Sequence, residues 1–187
     1  MKNKIKNLLV AFFLLTSVSF GQSEKIVSKA DKELPENWTT LSNEKYYIEY
    51  PENWELNQKK EVGAEFFLFS ELSSLEDKFR ENVNLLKQDI SGYYLDLDEY
   101  AKLTVGQVEN LLEDGKILES SRISGNTRDF HKLIFTGTQN GLKLKFEQYF
   151  WVVGEDAFIL TFTTVANQFE QYKVEGEGIL NSFVLKL

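Results

Sequence analysis

The chain has 187 residues, a formal net charge of −8 and no cysteine, and 42% of its residues are hydrophobic. This composition is typical of one globular domain, and it excludes a fibrous repeat and a disulfide-stapled scaffold. Acidic residues outnumber lysine and arginine by 29 to 21. Nucleic acid and anionic lipid both require a cationic surface, so the charge argues against either as a partner.

The first 21 residues have the layout of a secretory signal peptide. Three lysines precede a short apolar run at residues 8–15, which is less than the about 20 residues of a membrane span. Ser19 and Gly21 supply the small residues of a cleavage site, and Gln22, not a lipid-accepting cysteine, follows. Removing the segment and its three lysines changes the net charge from −8 to −11. We therefore expect a periplasmic or extracellular protein with no stable membrane anchor.

Residues 22–37 are polar, rich in lysine and glutamate, and interrupted by Pro35. They have no periodic apolar pattern, so the sequence predicts a flexible lead-in. The remaining residues, 38–187, form the predicted folded domain.

The first half of that domain reads as four strands and a helix. Short strands are predicted at residues 38–41 and 46–50, with further strands at 63–70 and 82–90. The run at 63–70 is almost continuously apolar, which favours a central strand covered on both faces. Apolar residues at three-four spacing predict a helix over 97–113.

The second half reads as consecutive hairpins and a terminal helix. Strands are predicted at 116–124 and 128–136, and an Asn-Gly turn then leads to a strand at 142–153 with strict alternation. A strand at 157–164 and a helical stripe over 165–183 complete the chain. The predicted fold class is α+β, with a central antiparallel sheet flanked by helices.

Five motifs follow one another in a characteristic order. They are an aromatic strand with Pro-x-x-Trp (46–54), a Leu-x-Glu-Tyr-like helix start (97–100), the turns at 140–141 and 154–155, and the Asn-Ser-Phe ending (181–183). Their order resembles that of the PsbP-like superfamily, which includes photosystem II PsbP, a Ran-binding import protein and exported bacterial proteins such as DcrB. The resemblance implies an α/β/α sandwich over residues 38–187 and little about activity, because members bind very different partners.

The titratable residues are interpreted as structural. His131 is the only histidine, so it has neither a second histidine nor a cysteine for a transition-metal site, and we interpret it as a strand residue. Asp96, Asp98 and Glu99 suggest calcium, but they lack the spacing of a calcium loop and fit helix capping. The sequence thus predicts no catalytic residue, no metal site and no cofactor.

Two aromatic residues are the candidate partner-binding residues. Tyr149 and Trp151 share one face of the strand at 142–153, and that face is either covered or open at one end. If open, these rings form a contact patch for an unknown protein partner. The leading function is a non-catalytic binding or assembly module of the envelope. The alternative is a carrier of a small apolar ligand, with a cavity of about 300 Å³ lined by residues such as Phe67, Phe69 and Tyr149.

Overall fold

The computed structural model describes residues 36–59 and 63–186. The predicted signal peptide and nearly all of the predicted lead-in lie outside these residues. In chain order the elements are β1 (Trp38–Ser42), β2 (Tyr46–Pro51), β3 (Glu55–Asn57), β4 (Ala64–Phe69), β5 (Asn82–Asp89), α1 (Leu97–Leu111), β6 (Glu113–Ile123), β7 (Phe130–Gln139), β8 (Leu142–Val153), β9 (Asp156–Val165), α2 (Phe169–Ser182) and β10 (Val184–Leu185).

Seven antiparallel strands form the main sheet in the order β3-β4-β5-β9-β8-β7-β6. Helix α1 packs against β6, β7 and β8, and α2 packs against β9, β5 and β2. The predicted α+β class with a flanked antiparallel sheet is confirmed. The predicted strands at 38–41 and 46–50 are present as β1 and β2, but with β10 they form a separate small sheet, in the order β1-β2-β10, in the layer that contains α2.

The main sheet separates two hydrophobic cores, and these give the layers their cohesion. We call them the α1 core and the α2 core after the helix that covers each. The α1 core includes Phe67, Tyr100, Leu133, Phe135, Phe146 and Phe150, whereas the α2 core includes Tyr46, Phe66, Tyr149, Trp151, Phe162 and Phe183.

Helix α1 begins where the sequence predicts. The Asp96 side chain accepts a hydrogen bond from the Glu99 N–H at 2.8 Å, and the Glu99 carboxylate accepts one from the Asp96 N–H at 3.0 Å. This reciprocal capping box satisfies two N–H groups that have no partner within the helix. The C-terminal end differs from the prediction, because the helix stops at Leu111 and that side chain is exposed.

Strand β4 is covered on both faces, as predicted, but it is not central. It is second from the edge, next to the three-residue strand β3. Burial of its two faces comes from the two cores: Phe66 lies in the α2 core and Phe67 in the α1 core. A continuous apolar run therefore indicates that both faces of a strand are covered, and it does not indicate whether the strand is central or near the edge of the sheet.

Two glycines let α2 approach both sheets closely. A Cβ atom at Gly176 would overlap the ring of Phe162 on β9, and one at Gly178 would lie 2.9 Å from the ring of Trp38 on β1. Both residues cost helix stability relative to alanine. Close packing of the helix between the two sheets offsets that cost.

Candidate functional site

Tyr149 and Trp151 lie in the core and not on the surface. They are 7% and 6% exposed and pack between the main sheet and the layer of α2. The ring of Trp151 lies 5.4 Å from that of Phe130 and 5.1 Å from that of Phe183. The sequence left open whether the face of β8 that bears these two residues is covered or exposed. The structure shows that it is covered, which corrects the prediction of an exposed contact patch at Tyr149 and Trp151.

The hydroxyl group of Tyr149 has a structural partner as well. It donates a hydrogen bond to the Asn181 side chain of α2 at 3.1 Å. Burial, and then the nearby Glu147 carboxylate, raises the pKa of this phenol. The contact ties β8 to the last turn of α2, so Tyr149 fixes the helix on the sheet.

A charged pair is buried beside this contact. The side chain of Glu147 on β8 is fully buried, and its carboxylate lies 3.3 Å from the ammonium group of Lys132 on β7. Lys132 is 23% exposed and lies between Glu147 and Glu119 of β6, at 3.7 Å from the latter. Lys132 thus separates the buried carboxylate from solvent and links three neighbouring strands.

The Glu147 carboxylate is poorly compensated. Neither oxygen accepts a hydrogen bond of good geometry from a described residue. Burial raises the pKa of Glu147, and Lys132 offsets this only in part. Burial alone would lower the pKa of Lys132, but the carboxylates of Glu147 and Glu119 raise it. Ionisation of Glu147 therefore lowers the stability of the fold, and the pair is a structural group, not a surface site.

His131 is a strand residue, as predicted from the sequence. Its Nε2 atom lies 2.9 Å from the Ser120 hydroxyl, and its ring stacks on Phe150 at 5.2 Å. Burial lowers its pKa. These contacts hold the imidazole against the α1 core. It therefore packs as a core side chain.

The acidic residues at the start of α1 also have structural roles. Asp96 and Glu99 form the capping box, and Asp98 pairs with Arg122 of β6 at 2.8 Å. The interpretation as caps is confirmed for Asp96. Within the described residues, no group of three histidine, aspartate or glutamate side chains has the geometry to hold a metal ion.

The lining proposed for a ligand carrier does not form one cavity. Phe67 belongs to the α1 core and Tyr149 to the α2 core, so the main sheet separates them. Phe67 stacks on Phe69 at 5.6 Å instead. A depression of about 330 Å³ lies elsewhere and is lined by Asn43, Glu44, Lys45, Tyr46, Gln58 and Glu65.

The sequence reading missed a surface feature, the segment between β4 and β5, Ser70–Glu81, which we call the β4–β5 loop. Its two ends are joined by a hydrogen bond of 2.8 Å from the Ser70 N–H to the Glu81 carbonyl. Arg80 clamps the same end: its guanidinium donates to the Ser70 carbonyl at 2.6 Å and to Glu55 on β3 at 2.7 Å. The loop therefore leaves the sheet at a fixed point.

Asp77 fixes the outer part of the β4–β5 loop. Its carboxylate accepts hydrogen bonds from the Ser73 hydroxyl at 2.6 Å, from the Ser73 N–H at 3.1 Å and from the Phe79 N–H at 3.0 Å. Although burial acts in the opposite direction, these bonds lower the pKa of Asp77. Two leucines of the loop are exposed to solvent: Leu75, within this turn, is fully exposed, and Leu72, directly before Ser73, is 50% exposed.

No family model and no curated protein matches the chain. Solved structures do match. Cyanobacterial PsbP (CyanoP) from Synechocystis sp. PCC 6803 superposes with a TM-score of 0.57 at 11% identity, over 84% of this chain and 98% of that one. LpqN, involved in cell envelope biogenesis of Mycobacterium tuberculosis, gives a TM-score of 0.58 at 12% identity, over 79% and 90%.

A third match is PA94 from Pseudomonas aeruginosa, a protein of unknown function described as a putative regulator. It gives a TM-score of 0.57 at 15% identity, over 79% of this chain and 96% of that one. At such identities the likeness shows the fold alone. The fold is PsbP-like, and the predicted resemblance is confirmed at that level. In residues 36–59 and 63–186, none of the helices has the length and apolar character to span a membrane.

Proposed function

We propose that this chain is an exported, non-catalytic binding or assembly module of the cell envelope that acts on a protein partner. Its fold is shared with LpqN, a protein involved in cell envelope biogenesis. The predicted signal peptide at residues 1–21 supports export. Residues that could suggest chemistry have structural contacts: His131 packs in a core, and Asp96 caps a helix.

The β4–β5 loop is the observation that carries the proposal. It holds a fully exposed Leu75 and a half-exposed Leu72 on a segment fixed by Arg80 and Asp77, so it presents apolar surface in a fixed conformation. Exposed apolar side chains gathered on one surface mark interaction sites. Rigid presentation also lowers the entropy lost on association. Binding therefore explains the loop better than catalysis does.

Cell fractionation combined with crosslinking tests this function. A tagged full-length chain is expressed in its host beside a variant that lacks residues 1–21, and formaldehyde is added to intact cells. We expect the full-length product in the envelope or medium, shortened at its N-terminus and crosslinked to a protein. The truncated control is expected to stay in the cytoplasm without that product.

Two results would contradict the proposal. One is an intact N-terminus in a cytoplasmic fraction for the full-length chain. The other is a stoichiometric lipid in native mass spectrometry of the purified protein, which would favour the apolar-ligand carrier.

A further inference from the structure

We propose that the β4–β5 loop is the docking element of this module, and that the partner presents an apolar pocket with a basic rim. This inference rests on the proposed function and specifies the partner of the same site. Leu72 and Leu75 enter the pocket, and the acidic residues beside them meet the rim.

The apolar part of the inference comes from the two leucines. Leu75 is fully exposed and lies in the turn between Ser73 and Phe79, whereas Leu72 is 50% exposed and directly precedes that turn. The hydrogen bonds from Ser73 and Phe79 to Asp77 hold that turn in shape. A pocket that receives both side chains gains their burial without first having to order the loop.

The loop is also coupled to the body of the domain. Arg80 joins it to Glu55 of β3 at 2.7 Å and lies over the Phe69 ring at 5.1 Å from its centroid. The buried Glu81 accepts a hydrogen bond from the N–H of Val165, the last residue of β9, at 3.4 Å. The loop is thus supported by three strands of the main sheet, β3, β4 and β9. A docked partner would meet a firm surface and not a mobile tip.

The charge of the partner follows from the charges around the leucines. Glu71, Glu76 and Asp77 lie in the loop with one lysine, Lys78, while Arg80 is paired with Glu55. The whole chain carries −8. An acidic rim around apolar side chains opposes an anionic membrane surface and favours a basic protein surface. A protein pocket is therefore the occupant to which these charges point.

A photocrosslinking experiment tests the loop in cells. The photoreactive residue p-benzoylphenylalanine replaces Leu72 or Leu75, and in a control it replaces Val174, an apolar side chain on α2 that is 82% exposed. We expect one protein to be crosslinked from positions 72 and 75 and not from position 174. Mass spectrometry identifies that protein, which is then purified for binding measurements.

The affinity of the purified partner is measured next. The double variant Leu72→Ser/Leu75→Ser is expected to raise the dissociation constant at least tenfold, because the apolar contact is lost. The variant Glu76→Lys is expected to raise it and to weaken its salt dependence. Val174→Ser is the matched control with unchanged affinity. Melting temperatures of all variants are expected to match the wild type, because the substituted side chains are exposed.

Several outcomes would overturn the inference. Crosslinking from position 174 alone would retain a binding module and reject this loop as its contact. Crosslinked protein from no position would reject both the loop and the proposed function. An unchanged dissociation constant for the double leucine variant would reject the apolar contact. Leucine-dependent binding to vesicles of phosphatidylcholine or phosphatidylglycerol would show that a membrane, not a protein pocket, takes the loop.

Discussion

Replacing Trp151 by alanine separates a core residue from a surface contact. The side chain is 6% exposed, and its ring lies near Phe130 at 5.4 Å and near Phe183 at 5.1 Å. Truncation removes the transfer free energy of the indole and leaves a space that its neighbours fill only in part. We expect the free energy of unfolding to fall by about 3–5 kcal/mol.

That loss is large enough to measure as a melting temperature. For a domain of this size, each kcal/mol shifts the midpoint by about 2–4 °C, so Trp151→Ala is expected to melt about 6–20 °C below the wild type. Far-UV circular dichroism follows the transition without depending on tryptophan emission. Val174→Ala is the control, because its side chain is 82% exposed and surface substitutions stay within about 0.5 kcal/mol.

The reasoning would be refuted by a Trp151→Ala protein that melts within about 2 °C of the control. Such a result would place the ring at the surface, and Tyr149 and Trp151 would regain their standing as contact residues.

Three further predictions test the packing, the cap and the buried charge. Gly176→Ala has no room for its methyl group and is expected to lower the free energy of unfolding, measured with urea, by about 1–3 kcal/mol. In contrast, a methyl group at Gly106 meets open space, so Gly106→Ala is expected to raise that free energy by about 0.5–1 kcal/mol. Equal effects of the two variants would contradict the close approach of α2. Asp96→Ala is expected to cost about 0.5–2 kcal/mol and Asp98→Ala less than about 1 kcal/mol, an order that a reversed result would reject. Because the pKa of Glu147 is raised in the folded state, the wild type loses stability as the pH rises from 4.5, the pKa in the unfolded chain, through the folded pKa. Glu147→Gln does not ionise and lacks this loss, so its free energy of unfolding relative to the wild type is expected to be higher at pH 7 than at pH 4. A difference between the two proteins that does not change with pH would disprove the raised pKa.

Local patterns in the sequence were enough to predict most of the elements. The alternation over residues 142–153 assigned each side chain of β8 to a face, because successive side chains of a strand point in opposite directions. The Asn140-Gly141 pair predicted a tight turn, because these residue types tolerate the positive φ angles that such a turn requires. In the structure their φ angles are 49° and 77°. Asp96 was one of two predicted caps, and the structure uses it in a capping box.

Long-range contacts explain what the sequence did not show. The strands β3 and β10 have three and two residues, too few for a periodic pattern. Tyr149 and Trp151 are covered by α2, β2 and β10, which belong to a different layer from β8, and β2 is also far from β8 in the chain. Alternation along a strand assigns side chains to two faces, but it does not indicate which face another layer covers. The sequence therefore left these two aromatic residues as candidates for an exposed patch.

The β4–β5 loop escaped prediction for a related reason. Its leucines at 72 and 75 have helix-like spacing but no continuing stripe, and nothing local indicates that they are exposed. The loop is fixed by hydrogen bonds from Arg80 to the Ser70 carbonyl and to the Glu55 side chain. Glu55 lies 25 residues before Arg80 in the chain. Only the folded sheet brings these groups together.

Backbone order parameters from nitrogen-15 relaxation test the central claim most directly, because the account requires a rigid loop that holds two leucines in solvent. For residues 71–80 of the free protein we predict values close to those of β4 and β5, about 0.85. The amide of Ser73 should share this rigidity, since it donates to Asp77 at 3.1 Å. Values below about 0.6 across the loop would contradict the account, because a mobile loop has no preformed docking surface.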